Sequence, residues 1–587
     1  MAFEASLKRK FLQSSELVPK RAETEEYPVS DYIRLKEANC KNCYKCIRHC
    51  PTKSISFSEN QAHIIADECI LCGQCFIVCP QNAKVVRDDI DKAKALLRGS
   101  EPVIVSLAPS FAAAFPGIGI GGMEQALKKL GFCAAEETAR GAVIVKKQYE
   151  ELIKCGEQEI IISSCCPSVN LMIQKHFPEL ISRLAKVVSP MVAHCRDIKS
   201  RYPEAKTVFI GPCISKKYEA DEFPCDVDCA LTFDELANWL KSEGIEPVSQ
   251  ADDSSENGRT RIFPTSGGIL KSMDCVSEEY SYFSVDGQEN CISTLRDISV
   301  GNITRCFVEM SSCVGSCIGG PAMSSTRHAP LQDYIAVSKF AGWSDFTVNA
   351  PSKDSISRTF ESLVHPQTYP NELQLSEILL KMGKNTPEDE LNCGSCGYNS
   401  CREKAIAVFQ GKAELSMCTP FLKDKAETFS SNILRNSPNG IIVLSESLEV
   451  QQINPAALNI LNIKSASDIV GANVVCILEP AAFSEVLRTG RSLRNSRLYL
   501  AEYKKYIEQT IVLDKVYRML LCILRDVTDE ETERQKKEEI SLKTIEITDK
   551  VIEKQMRVVQ EIASLLGETT AETKIALTKL KESLGDE

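Results

Sequence analysis

The sequence predicts a multidomain α/β protein, and three observations carry that reading. The chain has 587 residues, which at roughly 150 residues per domain corresponds to about four folded units. Through its middle, short Val- and Ile-rich runs alternate with helical stretches such as MEQALKKLGF and VKKQYEELIK, the pattern of a parallel sheet with crossover helices. Cysteines bracket this stretch in two tight groups, eight between residues 40 and 79 and four between 393 and 418.

Composition narrows the chemistry. With 43% hydrophobic and 25% charged residues, the chain is neither disordered nor membrane-embedded, and no window reaches the ~18 apolar residues of a membrane span. A net charge of -11 argues against a nucleic-acid partner, whose phosphates attract a basic surface. The opening MAFEASLKRKFLQSS lacks an apolar core of signal-peptide length. The 27 cysteines are therefore expected to stay reduced in the cytoplasm, where clustered thiols serve metals or catalysis rather than disulfides.

Residues 1–30 read as an N-terminal extension. In the next segment, 31–87, Cys40, Cys43, Cys46 and Cys50 with Pro51 spell C-x2-C-x2-C-x3-C-P, and Cys69, Cys72, Cys75 and Cys79 with Pro80 repeat it. A cuboidal iron-sulfur cluster takes three thiolates from one short loop and its fourth from the other repeat. One 4Fe-4S cluster is thus expected on Cys40, Cys43, Cys46 and Cys79, a second on Cys69, Cys72, Cys75 and Cys50. A zinc site would need only one tetrad. The repeat resembles the bacterial two-cluster ferredoxin module, which carries electrons and breaks no bonds.

Strands are expected at 102–106, 159–163, 206–210 and 305–309. They lead into Ala108-Pro109-Ser110, Ser163-Ser164-Cys165-Cys166-Pro167, Gly211-Pro212-Cys213 with Lys216, and Cys313 to Pro321. In open parallel sheets ligands bind beyond the carboxyl ends of strands, so these turns bring together a tetrad of Cys166, Cys213, Cys313 and Cys317. Cys165 and Cys166 are neighbours and cannot both easily reach one cluster, which leaves one thiol free.

At these turns the chain resembles the catalytic domain of iron-only (FeFe) hydrogenases, a two-lobed parallel-sheet fold, over 100–375. The family's motifs read T-S-C-C-P-x-W, M-P-C-x-x-K-x-x-E and E-x-M-x-C-x-x-G-C. The resemblance implies an H-cluster: a cubane on Cys166, Cys213, Cys313 and Cys317, bridged by Cys317 to a diiron unit carrying carbon monoxide, cyanide and a bridging dithiolate amine. It makes Cys165 the proton relay and gives Lys216 a cyanide to bond. Ala108, Pro109, Ser110, Gly267 and Gly268 would border the cofactor, and Gly319 and Gly320 would let backbone approach it. A thiol with a pKa near 8.5 exchanges protons readily, and lysine offers an anionic ligand three donors. Where the family has Trp, Met, Met and Gly, this chain has Val169, Gly211, Ser311 and Ser316, changes that alter cavity shape and tune a metal site. Glu219 keeps the second motif's acid; Glu150 and Glu151 are the candidates for a proton path. Cys133, Cys155, Cys195, Cys225, Cys229, Cys275, Cys291, Cys306, Cys476 and Cys522 read as small apolar fillers.

In 376–425, Cys393, Cys396 and Cys401 with Cys418 surround one further centre, Gly394 and Gly397 permitting a tight wrap. The arrangement resembles a small four-cysteine 4Fe-4S domain, with zinc as the alternative. Residues 426–527 resemble an α+β PAS domain in SPNGIIVLSESLEVQQINPAALNILN and LRDVT. The tail, 528–587, has Leu542, Ile545, Ile552, Met556, Val559 and Leu566 at 3-4 spacing, a helix break at Gly567, and a resumed pattern at Thr573, Leu577, Leu580 and Leu584. It is either a coiled-coil-like dimerisation or signalling segment or a helix folded back on its own domain.

The favoured function is a sensory-type hydrogenase, handling dihydrogen and protons, with a redox partner such as ferredoxin and with a signalling partner or a homodimer formed through the PAS domain and tail. The alternatives are a bulk hydrogenase and an iron-sulfur carrier or assembly factor without the diiron unit.

Overall fold

A computed structural model describes residues 32–36, 39–249, 258–274, 277–323, 330–348 and 353–583. The extension 1–30, Cys275, Leu584 and most of the polar stretch 247–260 lie outside the described residues. The chain divides into two compact units, Met1–Leu422 and Lys423–Glu587.

In the first unit β1 (Ile33–Leu35) pairs antiparallel with β4 (Lys84–Val86), and β2 (Ile55–Ser58) with β3 (Gln61–Ile64). The cysteine loops run into short helices, Lys45–His49 and Gln74–Ile77. Left-handed residues at Asn42, Tyr44 and Lys53 recur at the same places of the second repeat, Leu71, Gly73 and Asn82. The backbone must wrap each cluster seat in this hand, whichever side chain stands there.

Seven strands follow: β5 (Val103–Leu107), β6 (Ala134–Glu137), β7 (Ile160–Ile162), β8 (Lys206–Gly211), β9 (Cys229–Thr232), β10 (Ser281–Asp286) and β11 (Cys306–Ser311). They form two all-parallel sheets, ordered β6-β5-β8-β9 and β10-β11-β7. The Val- and Ile-rich strands β5 and β7 are buried throughout, as parallel strands covered on both faces are. The chain visits the sheets alternately, so neither lobe is a continuous segment. Helix Ala139–Cys155 crosses helix Pro190–Arg201 at Gly141, where a Cβ would lie 2.2 Å from the Pro190 carbonyl oxygen.

The second unit has one antiparallel sheet, β13-β12-β16-β15-β14, from β12 (Gly440–Leu444), β13 (Val450–Ile453), β14 (Leu493–Leu500), β15 (Lys505–Asp514) and β16 (Met519–Asp526). Ala457, Ile460, Phe483 and Val486 from two short helices pack into its core. Thr528–Ser583 is a single helix of 56 residues. It runs through Gly567, where the sequence suggested a break: glycine inside a helix costs only about 1 kcal/mol, too little to end one by itself. Among the described residues, no helix is long and apolar enough to cross a membrane.

The filler cysteines divide. Cys195, Cys229, Cys291, Cys306 and Cys522 are buried as expected, but Cys133, Cys155, Cys225 and Cys476 are exposed. These four stand at helix ends and connections, where the side chain meets solvent rather than a core.

Candidate metal centres

Parallel strands end on one edge of their sheet, and here the edges of both sheets face a common space. Strand β7 delivers Cys165 and Cys166, with Pro167 opening helix Pro167–His176 at its first turn. After β8 come Cys213 and helix Ser215–Glu222, which carries Lys216. Strand β11 leads to Cys313 and Cys317 through left-handed Gly315 (φ +80°) and Ser316 (φ +66°).

Two cavities adjoin there. Ala108, Pro109, Ser110, Cys165 and Lys216 line the larger; Cys313, Gly320, Leu71 and Cys72 line the smaller. Cys166, Cys213 and Cys317 line both and stand in the wall between them. Elsewhere one cavity is lined by Cys40, Cys43, Cys46 and Cys79 without Cys50, and another by Cys393, Cys396, Cys401 and Cys418. Cys50 instead lies near Cys69, Cys72 and Cys75, where burial and then their mutual charge raise the Cys75 thiol well above its ordinary value.

Spacing separates the metals. A tetrahedral zinc with Zn–S near 2.3 Å sets its sulfurs about 4 Å apart. Among the described residues, the one group of metal-ligand type whose atoms all lie within 4.8 Å is Glu136, His194 and Asp197, and no cysteine quartet is so tight. Four cysteines of one quartet do line each of three cavities, the number a 4Fe-4S cluster takes. Their chemistry agrees: burial pushes Cys46 and Cys69 up to about 11, so these sulfurs become thiolates only against a strong positive charge. Backbone N–H groups also donate to sulfur, Ser54 to Cys50 at 3.3 Å, Leu71 to Cys69 at 3.4 Å and Ala83 to Cys79 at 3.3 Å.

Contacts lock these seats together. A Cβ on Gly73 would lie 2.6 Å from Pro321 Cβ and 2.8 Å from Ile214 Cδ1, residues of the turns that carry Cys317 and Cys213. A Cβ on Gly397 would lie 2.9 Å from Ile47, and Arg48 and Lys53 donate to carbonyls of Gly394, Ser395 and Gly397.

Cys165 lines the larger cavity and not the smaller. Its Sγ is 3.1 Å from Tyr149 Oη, which accepts the Ser164 N–H at 2.9 Å. Burial pushes Cys165 up to about 12, although the Tyr149 hydrogen bond and the Lys216 charge pull it back. In this setting the Cys165 thiol holds its proton more firmly than a free one does. Burial also draws Lys216 down, but Glu219, 2.6 Å away, outweighs it and holds the ammonium above its ordinary value. Glu219 is itself fixed by Ser189 at 2.9 Å and Arg358 at 3.1 Å. Across the cavity burial lifts Glu309 to about 7, while backbone donors including Leu270 N–H oppose the rise.

Residues 101–321 match the iron only hydrogenase large subunit, C-terminal domain. Residues 32–93 match a 4Fe-4S dicluster domain, and residues 389–420 an Fe-S cluster family. The NADP-reducing hydrogenase subunit HndD of Solidesulfovibrio fructosivorans is 30% identical over 336 residues, 45% of this chain and 57% of that protein. The periplasmic Fe hydrogenase large subunit of Nitratidesulfovibrio vulgaris is 25% identical over 51% of this chain and 88% of its own length. The cytosolic Fe-S cluster assembly factor NAR1 of Encephalitozoon cuniculi is 24% identical over 32% of this chain and 58% of its own. The chain thus spans little more than half of HndD. The relatives it matches include both hydrogenase subunits and an assembly factor.

Within the hydrogenase-like domain, not every expected residue reaches the cavity. Gly267 and Gly268 do not line it. Gly267 is left-handed at φ +71°, and a Cβ on Gly268 would lie 2.1 Å from the Ile262 carbonyl oxygen; together they turn the chain so that Leu270 N–H meets Glu309 at 3.0 Å. Gly319 packs against Val314 and Gly320 against Pro212, so their closeness serves chain against chain. Glu150 accepts the Asp274 N–H at 2.7 Å and Glu151 meets Gln148 at 3.2 Å. Neither borders the cavity, to which helix Ala139–Cys155 presents only Ala139 and Ala142. At Gly211 a Cβ would lie 2.6 Å from the Phe209 ring, so the ring takes the space that a side chain at 211 would need. Sequence reasoning passed over Tyr149, Phe209 and Glu309. Tyr149 was accessible as a tyrosine on the buried stripe Ala142, Lys146, Tyr149 and Ile153, and Glu309 as the acid of the third motif.

Proposed function

We propose that the chain is a sensory-type FeFe hydrogenase that interconverts dihydrogen with protons and electrons. The observation that carries the reading is the shared wall: Cys166, Cys213 and Cys317 line both cavities, with Cys165 and Lys216 beside the larger. A cubane fits the smaller space and a diiron unit the larger, with Cys317 exposed to each. When bound, the diiron unit with its carbon monoxide, cyanide and dithiolate ligands supplies the centre that splits and forms hydrogen. Cys165 holds the proton to be exchanged at Sγ, its rotamer set by Tyr149. Lys216 turns a fixed positive charge toward an anionic ligand, steadied by Glu219. Phe209, Met191 and Phe263 keep the wall apolar and exclude water. The quartets in 31–87 and 376–425 seat the 4Fe-4S clusters that exchange electrons with a partner such as ferredoxin.

Residues 426–527 act as a PAS-type module and 528–587 as its output, through a signalling partner or a second copy, in the cytoplasm. Supporting this, the second unit contains only Cys476 and Cys522, no quartet for electron carriage. The changes at Val169, Gly211 and Ser311 favour sensing over bulk turnover; a specific activity matching a robust catalyst would reverse that preference. The likeness to NAR1 favours a second reading, an assembly factor without a diiron unit, although such a protein has no evident use for Cys165 together with Lys216. Infrared spectroscopy after co-expression with maturation enzymes decides. Bands of iron-bound carbon monoxide and cyanide are expected, and their absence leaves the assembly reading.

A further inference from the structure

We infer that the tail helix pairs antiparallel with the tail helix of a second copy of this chain, the two-fold axis passing beside Ile562. The inference rests on the reading of the tail as a self-association segment and adds its direction and register. The helix Thr528–Ser583 has 56 residues, about 84 Å at 1.5 Å per residue. Leu542, Ile545, Ile552, Met556, Val559, Ile562, Leu566 and Leu577 are each between 50 and 67% exposed on it. All but Ile562 fall on a 3-4 heptad seam that continues through Asp549, Ala563, Thr570 and Thr573.

Two copies could pair in either direction, and the seam treats the two unequally. In a parallel pair each seam residue meets its own copy, so Asp549 faces Asp549 and two carboxylates are pressed together, which is costly. The flanking positions Thr548, Gln555, Ile562, Thr569 and Ala576 carry no charge, so the charged column on the other flank finds no opposite charge there.

Reversing one helix pairs unlike seam positions. Met556 then meets Leu566, Val559 meets Ala563, Ile545 meets Leu577, and Asp549 meets Thr573, whose hydroxyl can donate to it. Thr570 meets Ile552 through its methyl. The charged column reads Glu546, Glu553, Gln560, Gly567, Lys574, Lys581, acidic in its first half and basic in its second. Antiparallel pairing sets Glu546 beside Lys581 and Glu553 beside Lys574, twice each by symmetry. Glu546 at present holds only an exposed pair with Lys550 one turn on. Ile562, off the seam, meets its own copy across the axis and widens the apolar contact at the centre.

The test uses the full chain with its clusters, handled without oxygen, in sedimentation at low ionic strength, where exposed charges act most strongly. Glu546→Lys with Glu553→Lys, or Lys574→Glu with Lys581→Glu, is expected to weaken the dimer roughly tenfold or more. All four changes together restore it, and the two double variants mixed form a heterodimer. In parallel, a photo-crosslinking amino acid at Ile545 is expected to capture the peptide around Leu577. Capture of the peptide around Ile545 itself, or a dimer whose tails do not crosslink, overturns the antiparallel pairing and spares self-association. A chain that stays monomeric overturns both, while the infrared test of the hydrogen site stands apart from either result.

Discussion

Replacing Gly73 with alanine tests whether the N-terminal module is keyed into the wall of the smaller cavity. The added methyl would lie 2.6 Å from Pro321 Cβ and 2.8 Å from Ile214 Cδ1, closer than carbon atoms pack. In the first repeat Tyr44 occupies the matching turn at φ +54°, so a left-handed residue with a side chain is tolerated there, at about 1–2 kcal/mol. What differs at Gly73 is the neighbours, and crowding them adds roughly 1–3 kcal/mol. The change is therefore expected to cost roughly 2–5 kcal/mol. Gly117→Ala is the control: Gly117 has φ +80° with nothing within 4 Å of its would-be Cβ, so it carries the backbone cost alone. Thermal unfolding of the cluster-loaded protein should rank Gly73→Ala well below Gly117→Ala, and Ile214→Val added to Gly73→Ala should recover part of the difference. Equal midpoints for the two glycine variants would refute the keying argument.

Cys165→Ala is expected to slow hydrogen chemistry while every cubane signal in electron paramagnetic resonance persists; a lost cubane signal would mean that the roles of Cys165 and Cys166 are reversed. Glu219→Gln leaves Lys216 and Arg358 buried without their shared carboxylate and is expected to cost about 3–5 kcal/mol. Adding Lys216→Met should return part of that loss in denaturant unfolding, and a double variant no more stable than the single would discard the pairing argument. Glu309 is raised from 4.5 to about 7, so between those values the folded chain keeps a proton that the unfolded chain releases. Stability should accordingly fall as pH rises through that window, by an amount of order 3 kcal/mol, and level off above it. Glu309→Gln should flatten this slope; an unchanged slope would show that Glu309 does not titrate there. Gly567→Ala should raise the helix content seen by circular dichroism, stabilising the tail by about 1 kcal/mol.

The N-terminal cysteine quartets were legible because three thiolates from one loop and one from the other repeat leave a regular spacing that is written twice in the sequence. Strands β5, β7, β8 and β11 were legible because burial on both faces demands Val and Ile. Strand β6, sequence AAEE, and the largely exposed edge strand β10 carry no such demand. Interleaving of the lobes depends on which strands pair, and no local pattern encodes that. Tyr149 stayed hidden because it reaches Cys165 from a separate helix, and the raised Cys165 because burial belongs to the assembled molecule. Gly267 and Gly268 were recognised as special, but their purpose, turning Leu270 onto Glu309, could be read only from the path of the chain.

The four-stranded sheet supplies Cys213, whereas the three-stranded sheet supplies Cys166, Cys313 and Cys317. A cubane on these sulfurs would be a second fastening between two plates that already share one core, in which Ile161 and Phe307 of the smaller sheet pack with Val105 and Phe209 of the larger. Damage to the iron would then leave that common core in place, and a protease would first find new cuts at the emptied turns along the rim.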